Sequence, residues 1–139
     1  MTVMQIAERS GPTEWLYLAK RNNTEDSSLN YIVDQLSTIN SKIQSKILVS
    51  IIHNPNVSKS TIFNIANKFH HWKELYAIIE TPHFDDEIFQ LIRPYANVWA
   101  IYRAIGTNKL SVLSLIALAA DDNDLIRKSA LEKLSDQPL

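Results

Sequence analysis

Three polar corners, Asn54-Pro55-Asn56, Thr81-Pro82-His83 and Thr107-Asn108-Lys109, recur at intervals of 27 and 26 residues. A fourth, Asn22-Asn23-Thr24, precedes the first of these by 32 residues. Each corner lies between two stretches whose apolar residues follow a helical period. Self-similarity at a near-fixed spacing is the mark of stacked supersecondary units, so the chain reads as a run of similar helix–corner–helix elements.

Two of the corners share their flanks. Ile51-Ile52-His53-Asn54-Pro55-Asn56-Val57-Ser58 aligns with Ile78-Ile79-Glu80-Thr81-Pro82-His83-Phe84-Asp85, and Ile62-Phe63 and Ile88-Phe89 follow. In both, proline stops the first helix, because it has no amide and turns the preceding residue away from helical geometry. Ser58 or Asp85 then accepts from the orphan amides of the next helix. Asp85, Asp86 and Glu87 put carboxylates on that helix's positive end.

With only two glycines in 139 residues, hairpin-rich β folds and phosphate-cradling loops are disfavoured, since both rely on glycine in tight turns. No stretch alternates convincingly as a strand. The pattern predicts helices over 13–21, 25–38, 41–53, 58–69, 71–80, 84–93, 96–105, 108–120 and 123–135, with a short one over 2–9. Residues 110–120 are apolar nearly all round, so that helix is expected to be covered on most sides by its neighbours. No linker or second domain is visible, and residues 1–139 read as one all-α domain.

At the C-terminal side, Asp121-Asp122-Asn123-Asp124-Leu125-Ile126-Arg127-Lys128-Ser129-Ala130-Leu131-Glu132-Lys133-Leu134 runs from an acidic turn into Ile-Arg and an Ala-x-x-x-Leu ridge. This segment resembles the second helix of a HEAT repeat, and the Asn54-Pro55-Asn56 corner resembles variant leucine-rich repeats. The resemblance implies a short right-handed α-solenoid of four to five helix pairs, about 8–10 helices. It also implies binding of another macromolecule. In HEAT-like repeats the corner Asp and the Arg after Val/Ile tie neighbouring repeats together; here those residues are Asp121 and Arg127. The corners at 54 and 81 lack the following Ile-Arg.

Function classes narrow by exclusion. Cysteine is absent, which removes disulfides and thiolate metal sites and fits a reducing cytoplasm. The first residues carry neither a basic n-region nor a long apolar core, so no secretory signal is expected. The apolar run 110–120 is too short to span a bilayer. No Gly-x-Ser-x-Gly elbow or P-loop occurs. Adjacent His70 and His71 diverge by about 100° on a helix, and no His-x-x-x-His or Glu-x-x-His spacing exists. The acidic turn at 121–124 lacks the other ligands of an EF-hand. Neither enzyme, metal site, cofactor nor small-molecule substrate is expected.

What remains is charge and aromatics. Residues 35–73 hold Lys42, Lys46, Lys59, Lys68 and Lys73 and no acid, whereas 74–90 hold Glu74, Glu80, Asp85, Asp86 and Glu87 and no Lys or Arg. Adjacent zones of opposite sign suit an electrostatically steered protein interface. The expected contact residues are Lys59, Lys68, His70, His71, Trp72, Lys73, Asp85, Asp86 and Glu87. Trp72 has two readings. Beside basic residues it suits a binding anchor, but Trp15, Trp72 and Trp99 each fall early in a helix where a solenoid buries large side chains, which favours core. The expected function is non-catalytic protein recognition, as an adaptor or as an immunity or antitoxin protein that blocks a toxin. The alternative is nucleic-acid binding through the five lysines, against a net charge of −1 that gives no bulk attraction to phosphates.

Overall fold

Most of the helices start where a side chain caps them. The computed structural model describes residues 2–136. Thr2 and Gln5 form a reciprocal capping box on α1 (Val3–Glu8), with Thr2 N donating to Gln5 Oε1 at 2.8 Å. Proline opens α2 (Pro12–Lys20) at its first position, where a missing amide costs nothing. Then follow α3 (Asp26–Gln35), α4 (Ser41–Ile52), α5 (Lys59–Lys68), α6 (Trp72–Glu80), α7 (Asp86–Ile92), α8 (Val98–Gly106), α9 (Val112–Leu118) and α10 (Asp124–Ser135). Ser58, Asp85, Asn97, Ser111 and Asn123 cap α5, α7, α8, α9 and α10 through their side chains. Among the described residues there is no strand.

The helices pack in two rows. In one, α2 lies on α4, α4 on α6, α6 on α8, and α8 on α10. In the other, α1 lies on α3, α3 on α5, and α5 on α7. Hydrogen bonds carry this second row on to α9. One continuous apolar core between the rows runs from Ala7 to Ala130. Its largest buried members include Phe84, Phe89, Leu18, Leu29, Ile32 and Ile47. Alanines at 19, 66, 77, 100 and 104 are buried among them, and their small side chains let neighbouring backbones come close.

Three predicted helices are shorter than expected. The stretch 25–38 divides into α3 and a 3-10 turn over Leu36–Thr38, and 84–93 divides into α7 and a 3-10 turn over Arg93–Tyr95. Pro94 supplies no amide to prolong α7. The stretch 108–120 contracts to α9, because Asn108 takes a left-handed backbone with φ 62° and Ser111 starts the helix afresh. Asparagine tolerates that conformation better than most residues, so this corner turns without glycine.

Covering of α9 also differs from expectation. Ser114, Leu115 and Leu118 are buried, but Leu113 is 80% exposed and Val112 and Ile116 are about half exposed. The reason is positional. α9 packs chiefly on α10, and among the described residues no further helix continues its row.

Candidate functional site

Three residues of the anticipated charge zones, Lys59, Asp85 and Asp86, form joints between helices. Asp26, the first residue of α3, accepts from the amide of Ser58, the N-cap of α5, at 2.7 Å and from Thr61 Oγ1 at 2.9 Å. Lys59, the first residue of α5, donates to Asp85, the N-cap of α7. Asp86, the first residue of α7, accepts from the amide of Ser111, the N-cap of α9, at 3.0 Å. In α3, α5 and α7 the first residue therefore binds the cap of the next helix in the row. Where the first residue is acidic the cap is serine, and where it is lysine the cap is aspartate.

These joints perturb the groups that make them. Burial by itself would raise the Asp85 pKa, but hydrogen bonds from Lys59 and the Ile88 amide outweigh it and hold the carboxyl below its ordinary value. Asp86 likewise ends lowered, with burial opposed by Ser114 and Ser111. Lys59 is raised, chiefly by its hydrogen bond to Asp85. Lys68 pairs with Asp34 at 3.0 Å. The Asp34 carboxyl is lowered first by Asn64 and then by Lys68.

The remaining expected contact residues scatter. His70 stacks flat on Tyr95, with ring centroids 3.5 Å apart, and donates from Nε2 to the Ala66 carbonyl at 3.0 Å. His71 caps α6 through Nδ1, 3.4 Å from the Lys73 amide and also 3.4 Å from Glu74 Oε2. Glu87 lies beside Lys59, Ser60 and Phe63 in a shallow depression. The five lysines divide between the rows, Lys42 and Lys46 on α4 and Lys73 on α6, against Lys59 and Lys68 on α5.

Trp72 corrects its favoured core reading: it is 54% exposed. α6 turns Leu75, Ile78 and Ile79 inward, which leaves its first residue on the outside. Trp99 is 62% exposed on α8, whereas Trp15 is buried and donates from Nε1 to the Ala7 carbonyl at 2.9 Å.

The exposed aromatics on α6 and α8 form a surface that charge and corner patterns do not reveal. Trp72 meets Tyr76 edge-on at 6.0 Å, and Trp99 meets Tyr102 edge-on at 6.3 Å. Arg103 links the helices: its guanidinium lies 5.0 Å from the Tyr76 ring centroid, and it pairs with Glu80. Lys73 lies 5.6 Å from the Trp72 ring. Beyond Tyr76, Trp99 and Tyr102 a cleft of about 700 Å³ opens toward α10, where Ser129, Glu132, Lys133 and Asp136 form its far wall. A sequence signal for it exists. Trp72 and Trp99 lie 27 residues apart, as do Tyr76 and Arg103, the same interval as two corners.

The HEAT-like pair acts locally. Arg127 donates to the Asp121 carbonyl at 3.1 Å and pairs with Asp124, while the Asp121 side chain accepts from the Asn123 amide at 2.8 Å. These bonds stay within the corner that starts α10. Neighbouring corners are tied instead by Asn54, whose Nδ2 donates to the carbonyls of Ala19 at 2.8 Å and Arg21 at 2.9 Å.

Among the described residues no three His, Asp or Glu side chains converge to hold a metal, and no helix is long and apolar enough to cross a membrane. Compared with protein-family models, with curated proteins and with solved structures, the chain matches none.

Proposed function

We propose that this chain is a non-catalytic protein-recognition module, a short right-handed α-solenoid of HEAT-like character that binds its partner on the α6–α8–α10 face. The observation that carries the proposal is the exposure of Trp99 and Tyr102 on the wall of one cleft, with exposed Trp72 packed edge-on against Tyr76 of the same wall. Tryptophan, tyrosine and arginine dominate the energetics of protein interfaces, because they bury much area with few rotors. Grouped rings left half in water by a folded domain mark a surface awaiting a partner. The size of the chain and the absence of nucleophile motifs suit an adaptor, or an immunity protein that occludes a toxin.

Nucleic-acid binding is the weaker reading. Lys59 and Lys68 are already paired with Asp85 and Asp34, so phosphates would have to compete with carboxylates for them.

The test is affinity capture from lysate with wild-type, Trp72→Ala and Trp99→Ala baits, with and without nuclease. A nuclease-resistant partner retained by wild type and lost by both variants supports the proposal. Each anchor should contribute about 2 kcal/mol or more, roughly a thirtyfold rise in Kd. Capture that both variants keep intact, or that nuclease abolishes, refutes it.

A further inference from the structure

We infer that the cleft between α8 and α10 receives a basic side chain, arginine or lysine, projected by a polypeptide partner. The inference rests on reading the α6–α8–α10 face as the recognition surface, and it names the chemistry of what enters.

Consider first the charges that line the cleft. Arg103 is held by Glu80 and by the Tyr76 ring. Lys133 donates to Asn108 Oδ1 at 2.6 Å. Both cations are engaged at the walls. The carboxylates of Glu132, on the last turn of α10, and Asp136, the residue that ends it, are exposed and accept no hydrogen bond from any described residue. An arriving cation therefore finds two open acceptors. An arriving anion would have to draw Arg103 away from Glu80.

The aromatic wall selects in the same direction. A ring presents a negative face to a cation, and tryptophan is the strongest such partner. Trp99 and Tyr102 meet edge to face, so their planes are nearly perpendicular and offer two sides of a corner. Guanidinium stacks on such faces and can also form a two-pronged bond with a carboxylate. The volume, about 700 Å³, lies in the range of ligand clefts and exceeds one side chain, leaving room for flanking backbone.

The experiment titrates the full chain with N-acetyl-Gly-Arg-Gly-amide, its lysine counterpart, the neutral citrulline analogue and a glutamate analogue. The indole N–H signal of Trp99 is followed by NMR. The expected result is a saturable shift of Trp99 with the arginine peptide, about tenfold tighter than with citrulline and weakened by added salt. The double variant Glu132→Gln/Asp136→Asn, read by the same signal, and Trp99→Ala, read by calorimetry, all at exposed positions, should each weaken arginine binding several-fold while helicity is unchanged. Equal binding of citrulline, tighter binding of the glutamate peptide, or an unaltered affinity in the double variant overturns the inference. If a partner is captured through Trp72 and Trp99 but arginine peptide fails to displace it, this inference falls and the recognition proposal stands. If arginine peptide binds but no captured partner depends on the tryptophans, the reverse holds.

Discussion

The Asp86 carboxylate accepts from the Ser111 amide at 3.0 Å, repeating sixty residues later in the chain the bond that Asp26 accepts from the Ser58 amide at 2.7 Å. The likeness extends further. Thr61 and Ser114 occupy the same third position of α5 and α9 and both bond the aspartate of the preceding helix. Lys59 with Asp85 fills the intervening step with charges in place of a hydroxyl-bearing cap. Asp86→Ala is expected to lower stability by about 1–3 kcal/mol, because a hydrogen bond to a charged acceptor is lost. Asp86→Asn keeps an acceptor oxygen and should cost less. Urea denaturation of the two variants checks the order.

Asn54 is 4% exposed and makes three bonds: two donated to the carbonyls of Ala19 and Arg21, and one accepted from the Asn56 amide at 2.9 Å. Asn54→Ala should destabilise by about 3 kcal/mol, since each net bond is worth about 1 kcal/mol. Asn54→Asp should cost more, because it sets a carboxylate against two carbonyl oxygens. Thermal melts of both variants provide the measurement.

Glu74 is 1% exposed, with Ser45 donating its hydroxyl to the carboxylate at 3.0–3.1 Å. Ser45→Ala leaves that carboxylate poorly satisfied and should cost about 1–3 kcal/mol. Adding Glu74→Leu should recover part of this loss, as apolar replacement of a buried charged group often does. A double-mutant cycle in urea decides it; no recovery in the double variant would contradict the account.

Acid should loosen the molecule at its helix joints. Asp34, Asp85 and Asp86 all lie below their ordinary value of 3.8 in the fold. A carboxyl with a depressed folded pKa stabilises the native state above its unfolded value and ceases to do so as pH falls through the folded one. Stability measured from pH 6 downward should therefore begin to fall near pH 4 and continue to fall below it. Asp34→Asn/Asp86→Asn should show a shallower decline over that window.

The three tryptophans should separate cleanly in stability measurements. Trp15 is buried, and Trp15→Ala should cost about 3–5 kcal/mol. Trp72→Ala and Trp99→Ala, at sites more than half exposed, should cost about 1 kcal/mol or less. Equal losses at all three positions would place Trp72 and Trp99 in the core after all.

Much of the local structure is legible in the residues. Ser58 and Asp85 announce helix starts, and proline at 55 and 82 announces corners. Capping and proline act over three or four residues, so one stretch of sequence contains both partners. The exposed rings of α6 and α8 were less legible, because tryptophan near a helix start suits core and surface alike. α9 shows the same limit. Its apolar composition predicts a covered helix, yet coverage depends on whether another helix follows in its row.

The sequence by itself determined that the chain is helical, where most of its helices begin, and how corners divide them. Only the tertiary structure decided that Asp26, Lys59 and Asp86 are joints and that Trp72 and Trp99 face outward. The joints link residues 32, 26 and 25 positions apart. Whether such residues meet depends on how far each helix is rotated about its axis. That rotation is set by close packing of Leu29, Ile62, Ile65, Ile88 and their neighbours in the core, a property of all the helices together that no single segment encodes.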